Sequence, residues 1–572
     1  MYARPLTACA AALASILAAV VPAPAAAERG PARATAVTVR VDPPPEARVI
    51  VRFRDDAAVE RERVARPGVE PALRMARVLG ERHGLALRDG ASPAPRTQVV
   101  LARDVPVDVL VARLRADPLV EWVEADQRQR IAQSVLPNDP LYPAGQMPPT
   151  PAVGQWYLRA PNATEVAAID APAAWAVTQG ADGIVVAVID TGVRFEHPDL
   201  AGKLLPGYDF VSADSAGVFL TANDGSGWDD DASDPGDWIT SSEDASGFFE
   251  GCGVSGSSWH GTQVSGLVGA ATGNAAGMAG TGWDLKVLPV RGLGKCGGYV
   301  SDIAAGIRWA AGLEVPGVPA NPNPARVVNL SLGSANTCSS TYQSAIDAVR
   351  ATGVVVVVAA AGNDGVAVNQ PANCRGVVAV AGVRHTGTKV GYSNLGRQVT
   401  LAAPAGNCFN LSGDCLYPLL TTSNAGATVP STSTYTSGGD DATLGTSFAS
   451  PLAAATAGLM LSANPDLTPS TVADRLRASV RPFPPPDPSL PTCTVPSGFD
   501  AVPQLQCNCT TTTCGAGLLD AGAAVALALE PQTSGGGGGG ASHPAWWLGL
   551  VLATLALRRA GGRGRFADGR PR

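Results

Sequence analysis

Three polar residues sit where apolar stretches end or begin, and together their types can do acyl-transfer chemistry. Asp190 closes the run Gly183-Ile-Val-Val-Ala-Val-Ile-Asp190 and is followed by Thr191-Gly192. A carboxylate at the end of a buried strand needs partners, or it takes up a proton. His260 stands before Gly261-Thr262 and leads into Val264-Ser-Gly-Leu-Val-Gly-Ala-Ala271. Ser447 lies in Gly445-Thr-Ser-Phe-Ala-Ser-Pro451, ahead of Leu452-Ala-Ala-Ala-Thr-Ala-Gly-Leu-Met-Leu461. That last run reads as a buried helix of small residues with Pro451 in its first turn, where proline is tolerated. Ser447 then stands at the helix mouth, where unpaired N–H groups and the dipole favour negative charge. Taken singly, Ser447 is a helix cap, His260 a surface imidazole and Asp190-Thr191-Gly192 a turn. Taken together they form a nucleophilic triad: Ser447 attacks, His260 shuttles the proton, and Asp190 fixes the tautomer and stabilises the imidazolium.

The elements that must position them are apolar runs without alternation. Gly183-Ile-Val-Val-Ala-Val-Ile189, Leu285-Lys-Val-Leu-Pro-Val290, Arg326-Val-Val-Asn-Leu-Ser331, Gly353-Val-Val-Val-Val-Val-Ala-Ala360 and Val377-Val-Ala-Val380 read as strands buried on both faces. Helical stretches at 300–311 and 342–352 separate them. The expected class is α/β, with a mainly parallel central sheet covered by helices on both sides. In such sheets function gathers at the C-terminal strand ends.

The order Asp, His, Ser and three quoted blocks carry a family resemblance. Val188-Ile-Asp-Thr-Gly192, His260-Gly-Thr262 and Gly445-Thr-Ser-Phe-Ala-Ser-Pro451 resemble the catalytic blocks of the subtilisin-like serine proteases. The resemblance covers most of residues 136–529 and implies the subtilisin-like three-layer fold. It also implies a serine endopeptidase that cuts protein or peptide substrates through an acyl-enzyme. Ala360-Ala-Gly-Asn-Asp364 is similar to the family's oxyanion block, which gives Asn363 the role of side-chain donor to the oxyanion. Asn329-Leu-Ser-Leu-Gly333 resembles the edge segment that pairs with substrate as an added strand. By that resemblance Ser331, Leu332 and Gly333, with Ala360, Ala361 and Gly362, line the pocket for the residue before the cut. Gln263 stands where the family often has a second histidine, and Phe448 where it often has methionine. Neither departure removes a catalytic atom, so both bear on specificity. Two other classes are open to such residues: a surface-displayed binder on a degenerate protease scaffold, against which the intact triad and Asn363 argue, and a lipase-type esterase. The esterase reading fails because Gly445-Thr-Ser-Phe-Ala449 lacks the second glycine of a nucleophile elbow.

The chain has 572 residues, enough for more than one domain, and its 65 glycines and 47 prolines with only 16% charged residues suit a loop-rich exported protein. A formal charge of -7 leaves no basic surplus for phosphates, which excludes nucleic acid as main partner. Residues 1–27 read as a signal peptide, with Arg4, an apolar stretch and Ala25-Ala26-Ala27. Residues 28–133 are arginine-rich and cysteine-free. They form a small α+β unit, with strands at 49–53 and 120–126 and a helix at 107–114. This unit resembles the family's inhibitory propeptide, so the chain's own N-terminal module is an expected intramolecular partner. The catalytic domain is expected over 134–530, a Gly-rich linker over 531–544, and an apolar segment with a basic end over 545–572. That apolar run is shorter than the roughly 20 residues a spanning helix needs. The tail resembles a Gly-Gly type bacterial sorting signal, with a permanent anchor as the alternative, so membrane contact is expected there alone. The enzyme is expected to be secreted, with transient attachment at the cell surface through the C-terminal tail, and monomeric.

Eleven cysteines are present, ten of them beyond Cys9 in the leader, an even number that reads as disulfides in an exported chain. Spacing alone leaves connectivity open. The preferred set is Cys252–Cys296, Cys338–Cys374 and Cys408–Cys415, with Cys493, Cys507, Cys509 and Cys514 paired among themselves. A zinc site at Cys507, Cys509 and Cys514 is the alternative. The loop at 224–237 offers dense carboxylates suited to Ca²⁺. It resembles a calcium-holding insertion in cysteine-containing bacterial members, which gives Asp229, Asp231, Asp234 and Asp237 as ligands. Asp199 matches a second calcium position of the family, with Asn274 in the turn Thr272-Gly-Asn-Ala-Ala-Gly277 as its side-chain partner.

Overall fold

A computed structural model of the chain describes residues 46–54, 75–126, 136–144, 151–407, 417–436 and 443–531. The expected signal peptide, the linker, the apolar tail and the Cys408–Cys415 pair lie outside the described residues. The chain divides into two units, one up to Ile131 and one from Ala132.

In the first unit, β1 (Ala47–Phe53), α1 (Met75–His83), β2 (Leu87–Asp89), β3 (Thr97–Ala102), α2 (Val107–Arg115) and β4 (Val120–Ala125) follow one another. Among the described residues the strands form one antiparallel sheet in the order β2-β3-β1-β4. Val49, Val51 and Phe53 alternate inward along β1 and meet Leu79 of α1 and Leu110 and Leu114 of α2. One apolar sheet face covered by two helices is an α+β arrangement.

The second unit begins with the short α3 (Ala171–Trp175) and then β5 (Val185–Asp190), β6 (Tyr208–Asp209), α4 (Ser241–Ala245) and α5 (His260–Gly269). It continues through β7 (Lys286–Arg291), α6 (Val300–Ala310), β8 (Val327–Leu330), α7 (Ser340–Ala351), β9 (Val356–Ala360), β10 (Val377–Val383) and β11 (Val399–Pro404). The small hairpin β12 (Thr422–Asn424) and β13 (Ser433–Tyr435) follows, then α8 (Thr446–Ala463), α9 (Pro469–Ala478) and α10 (Ala521–Ala528). Among the described residues the main sheet has the order β11-β10-β9-β8-β5-β7-β6, and every pairing in it is parallel. Strand order reverses at β5, which lies between β7 and β8. The crevice beyond the C-terminal end of β5 is therefore the place where this topology gathers function. Asp190 is the last residue of β5.

Helices α5 and α8 pack on each other and on the sheet, while α6 and α7 pair with each other and α6 lies against β5 and β7. The result is the expected three-layer α/β fold. Helix α8 is apolar all round and buried from Leu452 to Leu461, as a central helix must be. Small residues let it sit close: a Cβ on Gly458 would lie 2.7 Å from Leu285 Cδ1. The helix starts at Thr446, earlier than the sequence suggests, so Pro451 falls in the second turn and Ser447 inside the first. The cause is Gly445. At φ 150 it takes a backbone conformation open to glycine and turns the chain straight into the helix.

Cys252–Cys296, Cys338–Cys374, Cys493–Cys507 and Cys509–Cys514 are disulfides. The last four cysteines are thus oxidised pairs and offer no thiolates to zinc. Among the described residues no helix is long and apolar enough to cross a membrane.

Candidate active site

Two elements bring a carboxylate and an imidazole together. Asp190 is 1% exposed at the end of β5, and its Oδ1 accepts from the Thr191 N–H at 2.8 Å and lies 2.7 Å from Nδ1 of His260. His260 opens α5, which can approach β5 only because residue 261 is glycine: a Cβ there would collide with the Gly192 carbonyl. Burial disfavours the imidazolium, but the charge and hydrogen bond of Asp190 outweigh it and hold His260 above the ordinary histidine range. Asp237 and Asp234 add to that upward pull.

The loop acids reach the same place. Thr191 Oγ1 donates to Asp234 Oδ2 at 2.6 Å and accepts from the Gly261 N–H at 3.0 Å. Asp237 accepts from Ser258 N–H at 2.6 Å and from Ser258 Oγ at 2.7 Å, two residues before His260. Of the four loop acids named as calcium ligands, the structure therefore gives Asp234 and Asp237 hydrogen-bonding partners beside Asp190 and His260. Asp229 and Asp231 each accept a backbone N–H two residues on, and Asp224 pairs with the buried Arg291.

Ser447 sits in the first turn of α8. Its neighbours' N–H groups are taken: Thr446 N–H donates to Asn363 Oδ1 at 2.9 Å and Phe448 N–H to the Gly445 carbonyl at 3.0 Å. Among the described residues nothing accepts from the Ser447 N–H. Asn363 spends its oxygen on Thr446, from both N–H and Oγ1, so its Nδ2 is the end left to donate. Both Asn363 and Ser447 line a cavity of about 270 Å³. Two donors free at one helix mouth make an anion site.

Of the six pocket residues expected from sequence, Leu332, Gly333, Ala360 and Gly362 line that cavity with Ser447. Ser331, Leu332 and Gly333 also line a larger neighbouring cavity of about 420 Å³, which contains His260. Ala361 is fully buried and lines neither; its N–H is spent on the Val380 carbonyl. Phe448 places its ring 5.3 Å from that of His260, and Gln263 donates to the Ser258 carbonyl at 3.0 Å.

Sequence reasoning missed a chain of polar groups under the nucleophile helix. Ser450 Oγ donates to Asn329 Oδ1 at 2.7 Å, Asn329 Nδ2 donates to Ser331 Oγ at 2.9 Å, and Ser331 Oγ donates to the Ser447 carbonyl at 2.6 Å. The available signal was Asn329, a polar residue inside an apolar strand, which needs a partner when buried.

At the second candidate metal position, Asp199 is buried and accepts from the Met278 N–H at 2.7 Å. Burial pushes its carboxyl up to about 6, against hydrogen bonds from Met278, Asn274 and Tyr435. Asp139, which sequence reasoning did not name, accepts from the N–H groups of Gly273 and Asn274 in the same turn and adds to the upward pull on Asp199. Two nearby carboxylates and an amide oxygen are hard donors of the kind Ca²⁺ takes, so these residues fit that ion.

Comparison with known proteins agrees with this fold. A family model described as the Subtilase family matches residues 181–508. The chain is 41% identical over 380 residues to an extracellular protease of Xanthomonas campestris pv. campestris, across 66% of this chain and 58% of that protein. It is 36% identical over 370 residues to an extracellular basic protease of Dichelobacter nodosus, across 64% of this chain and 55% of that protein. The chain thus spans a little over half the length of these curated relatives. Among solved structures, a protease from Pseudoalteromonas arctica matches with a TM-score of 0.55 and 41% identity, covering 68% of this chain and 99% of that one.

Proposed function

The chain belongs to the subtilase family, and from that premise we propose that it is a secreted serine endopeptidase, made as a zymogen, with Ser447 as nucleophile. His260 takes the Ser447 hydroxyl proton as Oγ attacks the scissile carbonyl. Its Nδ1–H, held by Asp190, leaves Nε2 as the basic end. The tetrahedral oxyanion takes hydrogen bonds from Asn363 Nδ2 and the Ser447 N–H. Collapse expels the amine, which leaves with the proton from His260, and an acyl ester on Ser447 remains. Water, deprotonated by His260, releases the acid and restores the serine. The carrying observation is the 2.7 Å contact of His260 Nδ1 with Asp190, at the strand where the sheet order reverses.

Secretion is supported by the disulfides and by the extracellular relatives. We assign residues 28–133 as an inhibitory propeptide and residues 545–572 as a sorting tail or anchor. Ca²⁺ would be held by Asp199, Asp139 and Asn274, where it neutralises clustered carboxylates and fixes the turn; it takes no part in the chemistry. For Asp229, Asp231, Asp234 and Asp237 a calcium role stays a weaker proposal, because two of those carboxylates already hold Thr191 and Ser258.

The test is casein cleavage by the processed protein, with and without a sulfonyl fluoride. Cleavage that the inhibitor stops, and Ser447→Ala protein that accumulates with its N-terminal unit uncut, are expected. Inhibitor-insensitive cleavage, or none, overturns the assignment.

A further inference from the structure

Lys389 is 1% exposed, and among the described residues no carboxylate pairs with it. Its Nζ donates instead to four backbone carbonyls, those of Val390 at 3.0 Å, Gly391 at 2.9 Å, Gln504 at 2.7 Å and Leu505 at 3.2 Å. A cage of carbonyl oxygens is how proteins hold a cation stripped of water. Burial opposes the charge and pulls the ammonium down to about 7, while the four dipoles favour it. A methionine would fill the same space without that cost, so the charge has to be explained by what it joins.

The four carbonyls come from two segments far apart in sequence. Two belong to the residues after Lys389, and two to the loop that Cys493–Cys507 closes. Both segments then grip one glycine. The Gly365 N–H donates to the Tyr392 carbonyl at 2.7 Å, and the Gly365 carbonyl accepts from the Gln504 N–H at 2.8 Å. Gly365, at φ 70, fits tightly there: a Cβ would lie 3.1 Å from the Gln504 carbonyl oxygen. The bed continues toward Asn363. Asn394 Oδ1 accepts from the N–H groups of Asp364 at 2.9 Å and Val366 at 3.0 Å, and the Asn394 N–H donates to the Gly362 carbonyl at 2.9 Å. Residues 362–366, Asn363 among them, thus rest on residues 392–394, and Lys389 ties the near end of that bed to Gln504.

We propose that Lys389 is a positioning residue of the oxyanion hole, its ammonium locking residues 389–392 and 504–505 around Gly365 so that the loop carrying Asn363 is held still. The inference rests on the reading of Asn363 and the Ser447 N–H as oxyanion donors and deepens it by naming what fixes one of them. Lys389 touches neither substrate nor the reacting atoms. An oxyanion donor stabilises most when it is already in place, so loss of its support is felt in the transition state. With a neutral side chain the four carbonyls lose their common donor, and Gln504 loses its hold on Gly365.

The experiment measures turnover of a peptide substrate by Lys389→Met, which keeps the side chain's bulk and removes its charge. Active sites are counted by fluorophosphonate labelling of Ser447, so that misfolded protein does not enter kcat. The variant is expected to lose about ten- to a hundredfold in kcat, less than a whole oxyanion donor, with KM within about twofold. A merely structural lysine would lower the number of labelled sites and leave kcat per site unchanged. The deciding arm is the Asn363→Asp background, where the donor is already gone. Adding Lys389→Met there is expected to change kcat by less than about twofold. Gly365→Ala disturbs the same ladder with Lys389 in place and serves where Lys389→Met folds poorly. The same loss, and the same silence beside Asn363→Asp, are expected of it. Parental kcat per labelled site, a change confined to KM, or a loss that adds in full to that of Asn363→Asp overturns the inference, and with a labelled, active parent it overturns this inference alone. A parent that neither labels nor cleaves overturns the endopeptidase reading and this inference with it.

Discussion

The hydroxyl of Ser331 donates to the backbone carbonyl of Ser447 at 2.6 Å, and it does so because of Pro451. In an α-helix the carbonyl of residue 447 is bonded by the N–H of residue 451. Proline has none, and its ring crowds that same carbonyl. Ser331, at the end of β8, supplies the missing donor from outside the helix and ties the nucleophile's backbone to the sheet. Ser331→Ala is expected to leave the carbonyl without its partner, at a cost of about 1 kcal/mol for a part-buried acceptor. Turnover should fall with it. Pro451→Ala restores the helical donor, so the double variant should lose less than the two single changes predict. A double-mutant cycle on denaturant stability checks this. Additivity would mean that the two residues do not share the carbonyl.

The acid limb of the pH profile should move with Asp190. His260 works as a base only when neutral, and its basicity is raised by Asp190. Activity is therefore lost as pH falls through a value above that of ordinary histidine. Asp190→Asn removes the charge that raises it, so the limb should shift to lower pH. The same change should lower kcat by about 10⁴, because the favoured tautomer is lost. Measuring kcat/KM against pH for both proteins decides it. An unmoved limb would show that another group sets it.

Asn363 both donates and accepts, and the two roles can be separated. Its Oδ1 holds Thr446 at the start of α8, while Nδ2 is free to meet an oxyanion. Asn363→Asp keeps the acceptor for Thr446 and removes the donor. It is expected to lower kcat by about 10²–10³ with little change in KM, the cost of one oxyanion donor. Thermal stability should stay close to that of the parent. A large drop in stability with normal kcat would assign Asn363 to the helix start alone.

Strand positions were legible because both faces of the sheet are covered. Unbroken valine and alanine runs then have no other soluble use, and β5, β7, β8, β9 and β10 fall where those runs lie. Strand β11 escaped notice because Val399-Thr-Leu-Ala-Ala-Pro404 is short, small and broken by threonine. The start of α8 was misplaced because Gly445 and Pro451 both read as helix boundaries, and only tertiary contact with Asn363 chooses between them. Partners distant in sequence stayed invisible. Nothing local says that Asn329 meets Ser450, or that Lys389 is buried with its Nζ donating to the carbonyls of Val390, Gly391, Gln504 and Leu505. The loop at 224–237 shows the same limit. Dense carboxylates look alike in sequence whether they bind a cation, brace Thr191 or pair with Arg291.

Asp199 and Asp139 lead to the last expectation. Burial and mutual repulsion push the Asp199 carboxyl up to about 6, and the segment 272–278 supplies N–H donors to both acids without bringing a Lys or Arg to them among the described residues. A divalent cation removes that repulsion and binds only the folded form, so it should stabilise by mass action, about 2.7 kcal/mol at a hundred times its dissociation constant. Chelation is expected to lower Tm by several degrees, restored by Ca²⁺ and less by Mg²⁺, which demands a strict octahedron and gives up its water reluctantly. Asp199→Asn should lower Tm in calcium and lose most of the further response to chelator. Asp229→Asn serves as the comparison: if it abolishes the response and Asp199→Asn does not, the stabilising ion belongs to the loop at 224–237. Calorimetric scans of these proteins in calcium and in chelator read stability directly, independent of whether substrate is cleaved.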